Sequence, residues 1–227
     1  MNQPVTSRHV TSLITAPLLA LLLALLLAPL LAVAQDETGF YASAYGGVPA
    51  APSTSFSEFR PTGPGVGGTA KFGGGLGFGA AVGRRFGNGW AVELALDERG
   101  NYLRRIGGVA VDGNIFSETV LLNGYYRFPA RGAFRPYIGA GVGYVVALDI
   151  DVDRNGSEQE YSREGGVAVQ AIVGVEYTLA PRWRLTGDAR WGSVGSGTFT
   201  ASTPGNTLIG KPKYRPASLN FGVSYLF

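Results

Sequence analysis

Asp149, Asp151, Asp153 and Glu160 stand at positions 1, 3, 5 and 12 of one short stretch, the ligand spacing of a calcium-binding loop. Two departures weaken that reading. Arg154 occupies the place where the sharp turn of such a loop needs glycine, and no helical pattern flanks the stretch. Asp149 to Asp153 reads equally well as a strand end carrying its carboxylates on one face. Proton-transfer chemistry is poorer still. The one histidine, His9, lies in the N-terminal leader, and there is no cysteine. Nucleophile–imidazole and thiolate–imidazole pairs therefore cannot be assembled downstream of the leader. Glu93, Asp97 and Asp188 could support carboxylate-only catalysis, but they are more simply partners for arginines. Gly73-Gly74-Gly75 and the glycines of Gly139 to Gly143 lack the Lys-Ser/Thr ending and following helix of a phosphate cradle. They suit bends in a strand and a face kept free of bulk. No enzyme activity and no cofactor are expected.

Charge excludes a further class. The net charge of +3 falls to +2 without Arg8, and the basic residues form no Lys/Arg cluster, so no nucleic-acid partner is expected. Only 15% of the residues are charged, against about 25% in ordinary soluble domains. Thirty-five glycines, 12 Phe, 11 Tyr and three Trp take their place, a mixture suited to strands whose outer face meets something apolar.

Residues 1–34 read as a cleaved signal peptide. Arg8 and His9 open it, Leu18 to Leu31 is a Leu/Ala run broken by Pro29, and Ala32-Val33-Ala34 forms the cleavage pattern. Beyond residue 35 no apolar run approaches the ~18 residues of a membrane-spanning helix. Export without such a helix directs attention to strands.

Eight strand signals recur: Thr38–Val48, Lys71–Phe86, Trp90–Asp97, Ile115–Phe128, Phe134–Asp149, Gly165–Leu179, Trp183–Val194 and Ala217–Phe227. Each is near or above the ~9–11 residues that a tilted strand needs to cross a bilayer, Trp90–Asp97 being the shortest. Three short connections (87–89, 129–133 and 180–182) alternate with four long ones (49–70, 98–114, 150–164 and 195–216). That alternation predicts a closed antiparallel up-and-down barrel over residues 35–227, with turns toward the periplasm and loops outward.

Side chains agree with a period of two. Ile138, Ala140, Val142, Tyr144, Val146 and Leu148 share one face, against Tyr137, Gly139, Gly141, Gly143 and Ala147. The larger apolar row is expected to face lipid, with Trp90, Tyr126, Phe128, Tyr177, Trp183, Tyr225 and Phe227 forming an aromatic girdle near the short turns. The same parity sends Arg85, Glu93, Asp97, Arg127, Arg135, Glu176, Arg184, Asp188 and Arg190 into the lumen. Five cations beside four anions predict an ion-paired plug, because an eight-stranded barrel is just wide enough for its own side chains. A polar pore lining is the alternative.

The hairpin rhythm, the segment Arg135-Pro136-Tyr137-Ile138-Gly139-Ala140-Gly141-Val142-Gly143-Tyr144 and the ending Leu219-Asn220-Phe221-Gly222-Val223-Ser224-Tyr225-Leu226-Phe227 resemble the small outer-membrane β-barrels. These are the OmpA-like transmembrane barrels, surface adhesins and their relatives, and the likeness covers nearly all of 35–227. It implies residence in the outer membrane of a Gram-negative bacterium, among lipid and lipopolysaccharide. Phe221, Tyr225 and the terminal Phe227 resemble the signal read by the barrel-assembly machinery. The sequence departs from OmpA itself by ending at Phe227, so no peptidoglycan-binding domain is expected. The likeness implies no single activity.

The first functional expectation is a non-enzymatic, monomeric surface protein whose loops contact a host or cell-surface ligand. Phe59, Arg60, Arg104, Arg105 and Tyr214 are the candidate contact residues, since Arg and aromatics are favoured at interfaces. The second is a narrow channel or small-molecule carrier. The third, a lipid-modifying barrel enzyme, is disfavoured by the missing imidazole.

Overall fold

The computed structural model describes residues 38–61, 65–154, 156–195, 197–210 and 212–227. The expected signal peptide lies outside the described residues. In chain order the strands are β1 (Gly39–Ala50), β2 (Thr54–Phe59), β3 (Gly67–Arg85), β4 (Trp90–Ile106), β5 (Val109–Ala110), β6 (Asp112–Arg127) and β7 (Phe134–Arg154). They continue with β8 (Ser157–Arg163), β9 (Val167–Thr178), β10 (Trp183–Val194), β11 (Thr200–Ala201), β12 (Thr207–Ile209) and β13 (Ala217–Leu226).

Eight of them close a ring of antiparallel neighbours: β1, β3, β4, β6, β7, β9, β10 and β13, with β13 paired back to β1 from Tyr41↔Leu226 to Ala50↔Ala217. Closure leaves no unpaired edge, the condition for backbone polar groups to enter hydrocarbon. The outer wall of this ring is apolar: Leu76, Leu94, Leu122, Val142, Val169, Leu219 and Phe221 are all exposed. At the short-turn end the expected girdle is present. Trp90, Tyr126 and Phe128 pack edge to face at 5.3 and 5.1 Å, and Tyr225 sits between Trp183 and Phe227 at 4.9 and 5.5 Å. Tyr225 is consequently buried although its parity is outward.

Three of the four long connections are largely strand, which corrects the expectation of loops at 49–70, 98–114 and 150–164; the fourth, 195–216, carries among its described residues only the short β11 and β12. The ladder between β4 and β6 runs up to Tyr102↔Asn114, and β7 pairs with β8 up to Arg154↔Ser157. The segment between β10 and β13 does not extend those two strands. Its β11 pairs with β8, and its β12 pairs with β2. Above the membrane ring, β2, β3, β4, β6, β7, β8, β11 and β12 thus form a second tier of different staves.

The two tiers have opposite insides. In the upper tier Phe56, Leu103, Ile106, Ile115, Leu148, Ile150, Val152, Tyr161, Phe199, Leu208 and Tyr214 make an apolar core within the wall. A bulge makes the switch on β7: Thr119 pairs with Val145 and Glu118 with Ala147, so Val146 is an extra residue. Parity reverses there. Leu148 turns inward to full burial, and Asp149 and Asp151 turn outward, opposite to the face an uninterrupted period assigns to Leu148.

The membrane tier is held by a repeated device. Tyr41 stands opposite Gly83, Tyr45 opposite Gly79, Tyr125 opposite Gly139 and Tyr137 opposite Gly174. In each pair the ring lies over the glycine, where a Cβ would meet ring atoms at 2.4–2.6 Å. A side chain there would push the tyrosine off its glycine and against the packed side chains of the lumen. Replacing Gly83 by Ala is expected to cost about 1–3 kcal/mol, as overpacking of a filled interior does. The readout is a lower midpoint temperature for the heat-dependent gel shift. Adding Tyr41→Ala should recover part of the loss, whereas strictly additive losses would show that ring and glycine do not interact.

Candidate functional site

For Tyr41, Tyr45 and Tyr137 the cross-strand register carries the hydroxyl across its glycine to an acid on the third strand. Gly83 pairs with Glu93 and Gly79 with Asp97, and Gly174 pairs with Asp188. Tyr41 Oη donates to Glu93 at 3.0 Å, Tyr45 Oη to Asp97 at 2.9 Å and Tyr137 Oη to Asp188 at 3.0 Å. Tyr125 Oη and Asn123 Nδ2 add two donors to Glu93, at 2.9 and 3.2 Å.

Guanidiniums complete the network. Arg85 grips Glu176 with two hydrogen bonds, at 3.1 and 2.6 Å, and Arg184 approaches the same carboxylate at 3.6 Å. Arg190 donates to Asp188 at 2.8 and 3.0 Å, approaches Asp97 at 3.6 Å and lies 3.8 Å from the centroid of the Tyr45 ring. Arg99 pairs with Asp97 at 2.7 Å and donates to Gln170 at 2.9 Å, which in turn donates to Asn123. The structure therefore brings Arg85, Glu93, Asp97, Glu176, Arg184, Asp188 and Arg190 together inside the barrel. Arg135 points inward opposite Glu176, half-buried at the short-turn rim. Arg127 is buried, and none of its three side-chain nitrogens has a hydrogen-bond partner. Arg99, Gln170, Asn123 and the four tyrosines were missing from the expected network. Extending the Glu93, Asp97 parity two residues further finds Arg99, but that stretch reads as loop in the sequence.

The calcium reading is corrected. Asp149, Asp151 and Asp153 lie on β7, and Glu160 faces Asp151 across the β7–β8 ladder, so the stretch is a hairpin and not a wrapped loop. Nδ2 of Asn114 donates to Asp151 at 2.9 Å. Among the described residues no group of acids is placed to hold a metal ion. Two contact candidates are corrected as well. Tyr214 is almost fully buried, its hydroxyl donating to Asn101 at 2.7 Å, and Arg60 is largely buried against Glu58 at 2.7 Å. The arginine–aromatic composition that nominated them does not distinguish a cap interior from a contact surface. Phe59, Arg104 and Arg105 are exposed, with the Arg104 guanidinium 5.1 Å from the Tyr102 ring centroid.

Residues 18–227 match the family model described as outer membrane protein beta-barrel domain. The chain belongs to that family. It is accordingly an outer-membrane barrel of a Gram-negative bacterium, seated in lipid. A relative in Sinorhizobium fredii, the uncharacterized outer-membrane protein y4mB, is 27% identical over 138 residues, or 60% of this chain and 59% of that protein. Among solved structures, the outer membrane protein OprG from Pseudomonas aeruginosa matches with a TM-score of 0.56 at 17% identity, over 85% of this chain and 98% of that one. Neisserial surface protein A gives 0.48 at 18% identity, over 83% and 97%. The likeness to OprG extends to the fold.

Two outcomes follow for this barrel. Asp97→Asn leaves Arg99 and Arg190 without their shared anion, and breaking a buried pair in this way costs about 3–5 kcal/mol. Urea unfolding in detergent or lipid vesicles should show the loss, and Asp97→Asn with Arg99→Gln should lose less than Asp97→Asn alone. On the upper tier, burial first, and then the negative charges of Glu160, Asp151, Glu118 and Glu164, push Asp149 up from the ordinary aspartate range to about 6. A raised carboxyl favours the protonated fold, so stability should rise as pH falls from about 7 to 5. Asp149→Asn should flatten that slope. Protease resistance of the β7–β8 hairpin, measured across this range, reads it; resistance that instead falls on acidification contradicts the assignment.

Proposed function

We propose that this barrel is a non-conducting, non-enzymatic surface scaffold, a monomer that presents its upper tier to partners outside the cell. The observation that carries the reading is the double filling of its interior. The membrane tier is occupied by paired tyrosines, acids and arginines, and the upper tier above it by an apolar core around Leu103, Ile150, Tyr161 and Tyr214. A conducting path would have to displace both.

Catalysis is disfavoured by the same bonds. Glu93, Asp97 and Asp188 each accept from several donors, which holds them as structural anions and not as bases awaiting a substrate. What the upper tier offers instead is a rigid outer surface. Exposed Phe59 on β2 and Ile209 on β12 lie on adjacent paired strands, and Arg104 and Arg105 stand at the tip of β4 beside Lys71. Exposed apolar side chains and exposed cations on one tier suit an anionic or amphiphilic cell-surface ligand. Toward the periplasm, Phe221 and Phe227 are exposed on the last strand, where the assembly machinery would read them.

Planar-bilayer recording is expected to show no steady conductance for the intact protein. Whole cells carrying Phe59→Ser, Arg104→Ser and Arg105→Ser together should bind a host or abiotic surface at least several-fold less than cells with equal amounts of the unaltered barrel. Lipid A from expressing cells should keep its acylation by mass spectrometry. Reproducible open levels that vanish in Arg190→Gln would favour the carrier reading, and altered acylation the enzymatic one.

A further inference from the structure

The lower tier does not balance its charges. Among the described residues its inward-facing guanidiniums are Arg85, Arg99, Arg127, Arg135, Arg184 and Arg190, and its carboxylates are Glu93, Asp97, Glu176 and Asp188, six against four. Arg135 and Arg184 lie at the short-turn rim, where water is at hand. Arg127 does not share that relief. It is 6% exposed, and Nε, Nη1 and Nη2 are all buried without a hydrogen-bond partner. The nearest carboxylates are already engaged: Glu176 by the two-pronged grip of Arg85 and by Arg184, and Glu93 by Tyr41, Tyr125 and Asn123. A guanidinium cannot shed its proton, so its charge has to be met by something other than these groups.

Arg127 also lines a cavity of about 50 Å³ within the lumen. Hydroxyl groups of Ser43, Thr186 and Ser224 share its wall, as does Arg85. Space of that size takes a small ion with a water or two. We infer that this cavity is a binding site for a small monovalent anion, of which chloride is the simplest, held by Arg127 and solvated by the hydroxyls opposite. Three features set the class. The unpartnered donors call for an acceptor with negative charge. The volume excludes bulky organic acids. Besides Arg127 the cavity is lined by Arg85 and Arg190 and by Glu93, Glu176 and Asp188, two cations against three anions, a surplus that repels a dianion such as sulfate more strongly than a single charge. The ion then makes the plug whole: it supplies to Arg127 what the chain supplies to Arg85, Arg99 and Arg190.

The test uses the full barrel, extracted in a non-ionic detergent and exchanged into sodium gluconate, whose anion is too large for the cavity. Sodium chloride is titrated in at constant ionic strength, and the midpoint temperature of the heat-dependent gel shift is followed. A ligand that binds only the folded state raises this midpoint along a saturable curve. The expected result is a rise of several degrees in chloride, little or none in sulfate, and no chloride dependence in Arg127→Gln. Equal midpoints in chloride and gluconate overturn the proposal and leave water as the occupant. So does a chloride effect that survives in Arg127→Gln. Should that variant fail to fold, crystals grown in bromide decide the matter. An anomalous peak within hydrogen-bond distance of the Arg127 guanidinium supports the site, and featureless density there removes it.

Discussion

A tyrosine reaching over a glycine to a carboxylate, three strands wide, is the interaction on which the membrane tier rests. It answers a constraint set by width. Eight strands enclose so little space that side chains must fill it, yet every charge among them has left water and must be met by a partner. A large ring fits only where the neighbouring strand carries none, hence the glycines opposite Tyr41, Tyr45, Tyr125 and Tyr137. The rings of Tyr41, Tyr45 and Tyr137 in turn bring a hydroxyl within reach of an acid two strands away, and the guanidiniums bridge between acids. Arg190, between Asp188 and Asp97, is the clearest case.

The second constraint is the change of solvent along each long strand. Where the wall meets lipid, its outside is apolar and its inside polar; where it meets water, the arrangement must invert. On β7 the inversion costs one residue, Val146, whose insertion moves the next carboxylates outward and Leu148, Ile150 and Val152 inward. On β4 no residue is inserted against β6. The inward series Glu93, Asp97, Arg99 and Asn101 simply gives way to Leu103. The upper tier thus packs like a small water-soluble β-sandwich raised on top of a membrane barrel.

Much of this was legible in the sequence, and the limits have physical causes. All eight membrane strands follow from period two, because lipid demands an uninterrupted apolar row, and the girdle follows from aromatics near short turns. The upper strands escaped because their pattern belongs to a different solvent: by period two Ile150 and Val152 continue the lipid-facing row of Ile138 and Val142, and only the bulge at Val146 turns them inward. Arg99 was lost with them. Spacing alone made Asp149, Asp151, Asp153 and Glu160 resemble a calcium loop, whereas alternate carboxylates on a hairpin give the same spacing with no common centre. Tyr214 and Arg60 show that an arginine or aromatic between strands can be a cap's interior as readily as its surface.

The segment between β10 and β13 has a consequence for order in time. It supplies the last stave of the upper wall, bridging from β8 to β2 while the chain that bears it has one strand still to place. Those two staves come from distant parts of the polypeptide, and they acquire this common neighbour only when the end of the chain arrives. The crown above the membrane ring is therefore a keystone structure. A barrel caught short of its final strand would carry staves with no common neighbour to close them.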